Sequence, residues 1–147
     1  MAKTKEKSKK EQKSTKRRLI VNEAGVKRCW WCGNDPLYQD YHDNEWGNPV
    51  YDDQRLFEKI CLEGFQAGLS WITILRKREN FRKAFRQFDF NLVALMTERD
   101  VSRLLTNEGI IRHCGKIEST INNAAKAIEL IASEGSLANC FWYFEPK

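Results

Sequence analysis

The stripe Ile117, Ile121, Ala124, Ile128 and Ile131, closed by Gly135, constrains this chain more than any other feature. Apolar residues recurring every three or four positions line one face of an α-helix and demand a partner surface. The pattern is not isolated. Leu56, Phe57, Ile60 and Cys61 recur at helical spacing after Asp52 or Asp53, either of which can cap the helix. Behind Ser70, another cap, Trp71, Ile74, Leu75, Arg78, Phe81 and Phe85 trace one face, and Arg76, Lys77, Arg82 and Lys83 fall on the others. Asp89 or Asn91 opens a short segment carrying Leu92, Val93, Leu95 and Met96. Thr97 to Asp100 has capping-box spacing, followed by Val101, Leu104 and Leu105. Gly109 stands where a left-handed residue would end that helix. No internal repeat and no convincing strand pair is present. The expected fold class is all-α.

Ahead of these helices lies RCWWCGNDPLYQDYHDNEW, Arg28 to Trp46. It sets Cys29, Cys32 and His42 among Trp30, Trp31, Tyr38, Tyr41 and Trp46. Trp and Tyr offer flat π-faces with a polar handle at little entropic cost, which suits gripping a flat, polar ring. A Trp-rich patch packing a helix-poor N-terminal segment accounts for the same residues, and composition alone does not separate the two.

The first 18 residues hold nine Lys or Arg against Glu6 and Glu11, a local +7 in a chain of net charge +5. The basicity therefore belongs to the tail, and the remainder is mildly acidic. Without apolar residues between Ala2 and Leu19, the tail cannot bury enough surface to order itself. We expect a disordered Lys-rich arm over residues 1–20 and a helical domain over 21–147. The arm suits salt-sensitive attraction to phosphate backbones, and equally a solubility segment. Neither a secretory signal nor a membrane-length apolar run is expected. Five cysteines without an export signal point to reduced thiols in a cytoplasmic or nuclear protein, with metal ligation favoured over disulfides.

Gly109-Ile110-Ile111-Arg112 joins two helical patterns as a hairpin. Backbone N–H groups at the start of the second helix can hold an anion. Arg112, His113 and Lys116 stand where a phosphate would meet it, with Ile110 and Ile111 as anchors in the core. An ordinary helix-helix turn with basic surface residues is the alternative.

Three long motifs in order, CWWCGNDPLYQDYHDNEWG, ICLEGFQAGLSWITILRKRENFRKAF and EGIIRHCGKI, closely resemble the DNA-3-methyladenine glycosylase I family. The resemblance covers roughly Arg28 to Phe144. It implies a helix-hairpin-helix, zinc-binding repair enzyme that hydrolyses the N-glycosidic bond of 3-methyladenine in alkylated double-stranded DNA. A monomer is implied, without membrane association. By this resemblance Glu63 is the carboxylate that meets the base edge. Trp71 and Tyr41 are stacking walls, Trp31 is a further wall and Tyr38 a residue that orients it. Gly109, Ile110, Arg112 and Lys116 belong to the DNA-binding hairpin. Cys29 and His42 match half of a structural zinc set, whose other His and Cys lie in a C-terminal segment of the family. The sequence stops at Lys147, before any such pair, so the expectation is a C-terminally truncated domain with an incomplete zinc set; Cys32 is a candidate third ligand. An alternative function follows: a weakly active or inactive DNA-binding remnant of the same family, with Phe141 to Phe144 partly exposed.

Overall fold

The computed structural model describes residues 19–146, so all but the last two residues of the expected arm lie outside the described residues. These fall into two compact units, one ending at Trp46 and one beginning at Gly47.

The first unit opens with an antiparallel ribbon, β1 (Leu19–Val21) against β2 (Lys27–Cys29), with Leu19 paired to Cys29 and Val21 to Lys27. This corrects the expectation of no strand pair. The strands are three residues long, too short to show an alternating pattern. Their turn is held by Asn22, whose Oδ1 accepts from Val26 N–H at 2.8 Å, and by Gly25 at φ 79°. A 3-10 turn at Trp30–Cys32 leads to α1 (Pro36–Asn44), where a helix-poor segment was one of the two readings. Asp35 caps α1, its Oδ1 accepting from Leu37 N–H at 3.0 Å and Tyr38 N–H at 3.2 Å. Pro36 follows at a position where the missing N–H costs nothing.

The second unit is helical among its described residues: α2 (Asp53–Gln66), α3 (Trp71–Ala84), α4 (Phe90–Val93), α5 (Glu98–Leu104), α6 (Cys114–Glu134) and α7 (Leu137–Trp142). Most caps expected from sequence are in place, although Ser70, at the N-cap of α3, makes no side-chain cap hydrogen bond. Asp52 accepts from Arg55 N–H at 2.8 Å, Asp89 from Asn91 N–H at 2.9 Å, and Asp100 from Thr97 N–H at 3.0 Å. Phe65, Phe81, Phe85 and Phe88 are fully buried and pack in series, with ring centroids 4.6 Å apart for the first pair and 5.8 Å for the last. The turn Arg86–Phe88 passes through left-handed backbone at φ 54°, 57° and 56°, a conformation disfavoured by the Cβ of each residue. Burial of Phe88 offsets that strain, and Gln54 braces the turn by donating to the Gln87 carbonyl at 2.7 Å.

Two apolar faces are rotated from their expected positions. On α6 the buried residues are Ile117, Thr120, Ala124 and Ala127, and Ile128 is 38% exposed. Thr120 can be buried because its hydroxyl donates to the Lys116 carbonyl at 2.9 Å. On α2 Leu56, Phe57 and Cys61 are buried as expected, the core also takes Leu62 and Phe65, and Ile60 is 41% exposed.

Candidate functional site

In the first unit the tight turn at Trp30–Cys32 turns Trp31 back onto one face of α1. Its ring centroid lies 4.9 Å from Tyr38, 6.4 Å from Tyr41, 5.2 Å from His42 and 5.2 Å from Trp46. His42 and Trp46 stack at 5.6 Å with a 17° interplanar angle. Spacing of three to five residues along α1 and its exit places these rings on one side. The expected walls Trp31, Tyr38 and Tyr41 are thus brought together. Trp46, although within the aromatic segment, was not among the expected site residues; its i, i+4 relation to His42 was the available signal.

A polar chain ties the ribbon to α1. Arg28 grips Asp43 through Nε at 3.0 Å and a terminal nitrogen at 2.6 Å. Asp43 Oδ1 lies 2.8 Å from His42 Nδ1, and His42 Nε2 accepts from Cys29 N–H at 3.2 Å. The second contact requires an unprotonated Nε2, which puts the ring proton on Nδ1, facing the carboxylate. The Arg28 guanidinium, and then the His42 ring, hold the Asp43 carboxyl down to about 2 from its ordinary 3.8. Because the folded value is lowered, this contact stabilises the ribbon above pH 3.8 and is lost as pH falls through about 2. Amide protection at residues 27–29, taken relative to intrinsic exchange at each pH, is expected to fall across that window in the parent. Arg28→Met should show the lower protection already at pH 6, and equal protection in both proteins would disprove the tie.

Cys29 and His42 are neighbours through the Cys29 backbone N–H, which donates to His42 Nε2. Cys32 is buried, and its Sγ donates to the Cys29 carbonyl at 3.1 Å. Among the described residues no group of three or more His, Cys, Asp and Glu is arranged to hold a metal ion. A structural zinc takes four ligands in a tetrahedron. These residues offer a pair, so they do not by themselves fit a structural zinc.

In the second unit Glu63 is exposed near the end of α2, between the buried Leu62 and Phe65. Lys59 lies one turn earlier on the same face, and its Nζ stands 5.7 Å from the centre of the Trp71 ring. Trp71 is the first residue of α3 and packs in part against the core. Lys59 was absent from the sequence reading; its i, i+4 relation to Glu63 was the signal.

The loop between α5 and α6 buries Ile110, half-buries Ile111 and exposes Arg112, as expected of anchors and surface residue. Arg112 lies 4.0 Å from Glu108, an exposed pair of little energetic weight. Two expectations are corrected. Gly109 does not end α5, which stops at Leu104, and its φ is not positive. Its glycine serves close approach: a Cβ there would stand 3.0 Å from Asn107 Oδ1 and 3.1 Å from the Asn80 amide. Nor does Lys116 present its ammonium outward. Nζ donates to the carbonyls of Phe65 at 2.9 Å and Ala67 at 2.6 Å, capping the C-terminal end of α2. His113 caps α6, with Nδ1 accepting from Lys116 N–H at 3.2 Å.

The chain is mostly helical; one unit clusters flat rings around the Trp31 indole, and the other sets Glu63 one turn from a lysine that lies over the Trp71 ring. The family model for methyladenine glycosylase matches residues 31–147, and the chain belongs to that family. It is 53% identical over 119 residues to DNA-3-methyladenine glycosylase 1 of Escherichia coli, covering 81% of this chain and 64% of the relative. It is 49% identical over 117 residues to DNA-3-methyladenine glycosylase of Haemophilus influenzae, covering 80% and 63%. A crystal structure of 3-methyladenine DNA glycosylase I superposes with a TM-score of 0.77 at 56% identity, over 80% of this chain and 64% of that one. A tyrosine-to-phenylalanine variant of such an enzyme, in complex with 3-methyladenine, superposes with a TM-score of 0.77 at 39% identity, over 79% and 62%. The chain therefore spans less than two thirds of the length of these relatives.

Proposed function

We propose that this chain is a DNA repair glycosylase that releases 3-methyladenine from alkylated double-stranded DNA. The observation that carries the reading is family membership across residues 31–147, with the ring cluster and Glu63 at the matching motifs. Methylation at N3 makes the base cationic. When water adds to the sugar C1′, the glycosidic electron pair leaves with the base, which departs neutral, and one proton is lost to solvent. A good leaving group shifts the burden from acid catalysis to finding and orienting the base. Extruding a damaged base costs only a few kcal/mol. Trp71 stacks on it for about 1–3 kcal/mol. In the first unit, Tyr41 and Trp31 offer aromatic faces of the same kind, with the Tyr38 ring 4.9 Å from Trp31. Glu63 accepts from the exocyclic amine and attracts the base's positive charge.

The loop from Gly109 to Arg112 acts as a hairpin against the phosphate backbone, anchored by Ile110. Lys116 contributes by supporting α2 and leaves direct phosphate contact to others. No helix among the described residues is long and apolar enough to cross a membrane. Zinc enters no step, since Cys29 and His42 alone do not complete a site.

The test is base release from methylated duplex by the 147-residue chain, with 3-methyladenine resolved by chromatography. Time-dependent release supports the proposal. Salt-dependent duplex binding without release would favour a DNA-binding relative that lacks turnover.

A further inference from the structure

Two residues of α3, Lys77 and Asn80, lie one turn apart and both reach the loop ahead of α6. Lys77 Nζ donates to the Glu108 carbonyl at 3.1 Å, and Asn80 Nδ2 donates to the Gly109 carbonyl at 3.2 Å. Asn107 fixes the same stretch from within, its Oδ1 accepting from Gly109 N–H at 2.9 Å. The Gly109 backbone comes so near that a side chain there would press on the Asn80 amide. Three polar side chains therefore converge on two consecutive peptide groups of a surface loop. Exposed polar contacts of this kind add little to the stability of a domain. They do fix a conformation, and a loop already held in shape loses less freedom when it binds.

We propose that Asn80 and Lys77 are positioning residues for DNA binding. They brace the loop in the form that meets the phosphate backbone of duplex DNA. The proposal rests on the reading of this loop as the DNA-contacting hairpin. It assigns Lys77 an unusual part for a basic residue near DNA: its charge is spent on a carbonyl, and phosphate is contacted elsewhere.

The experiment titrates unmodified, fluorescein-labelled duplex with the full 147-residue chain over a range of KCl concentrations. Free 3-methyladenine binding is read by Trp fluorescence on the same samples. Asn80→Ala is expected to weaken duplex binding about five-fold at every salt concentration, the factor that one ordinary hydrogen bond is worth. The slope of log Kd against log salt should match the parent, and so should affinity for the free base. Asn80→Leu keeps the volume without the donor and should repeat the result, with cooperative melting in both variants. Lys77→Met should likewise weaken binding at unchanged slope. A direct phosphate contact would instead reduce the slope by about one and overturn the assignment of Lys77.

Parent-like duplex affinity in either Asn80 variant overturns the proposal. Parallel loss of free-base binding also overturns it, because the defect is then general. A parent that binds duplex but releases no base refutes the glycosylase reading and leaves the brace standing. A parent that binds no duplex refutes both.

Discussion

Replacing Glu63 by Gln is expected to slow 3-methyladenine release about 10- to 100-fold, with the fold and duplex affinity unchanged. The side chain is exposed on α2 and no buried partner would be orphaned by the change, so stability should hold. What disappears is a charge-assisted hydrogen bond, worth about 1.5–3 kcal/mol, together with attraction to a cationic base. Trp71→Ala should cost a similar factor by removing about 1–3 kcal/mol of stacking. Trp71 also packs against the core, so its alanine variant mixes lost stacking with lost stability. Trp71→Phe separates the two by keeping a ring of reduced area. Single-turnover release on methylated duplex is the measurement. If the Gln variant and the Ala variant both release base at the parent rate, Glu63 and Trp71 do not form the recognition site.

Phe85→Ala is the substitution with the largest expected effect on stability, about 3–5 kcal/mol. The ring has no exposed surface and sits between Phe65 at 5.7 Å, Phe81 at 6.5 Å and Phe88 at 5.8 Å. Truncation removes its own burial, opens a cavity and leaves three neighbours short of contacts. A natural domain is stable by only about 5–15 kcal/mol, so the variant forfeits a large share. Leu95→Ala, at a residue 75% exposed, is the control and should stay within about 0.5 kcal/mol. Urea denaturation of the three proteins decides the matter; a loss under 1 kcal/mol for Phe85→Ala would show that the series of rings is not the centre of the core.

The helices α2, α4 and α5 were legible because each announces itself twice, by apolar spacing and by a cap. Asp52, Asp89 and Thr97 with Asp100 all occupy the cap positions expected of them. The ribbon was not legible, because two strands of three residues carry too few positions for alternation to show, and β2 consists of Lys, Arg and Cys. The start of α1 was encoded in Asp35-Pro36, a cap followed by a first-turn proline, though the aromatic residues drew the reading elsewhere. The α6 face was misplaced by a few tens of degrees, since Thr120 looks polar in sequence and becomes core only when its hydroxyl finds the Lys116 carbonyl.

The ring cluster was predictable from proximity along the chain, since all its members lie between Trp31 and Trp46. The loop residues were not, because their partners are distant in sequence. Lys116 reads as a phosphate ligand until the carbonyls of Phe65 and Ala67, about fifty residues earlier, are in view. Gly109 reads as a helix end until Asn80 arrives beside it. Both cases share a cause: periodicity reports which face a residue occupies and is silent on which distant backbone comes to meet it.

The Lys116 contact also sets a dimension of the molecule. One ammonium pins the final carbonyls of α2 to the first turn of α6. The interval between the acid on α2 and the loop before α6 is thereby fixed like the jaws of a caliper. Loss of that one ammonium, as in Lys116→Met, would free the end of α2 and the start of α6 to drift apart, and the spacing between Glu63 and the loop would no longer be set.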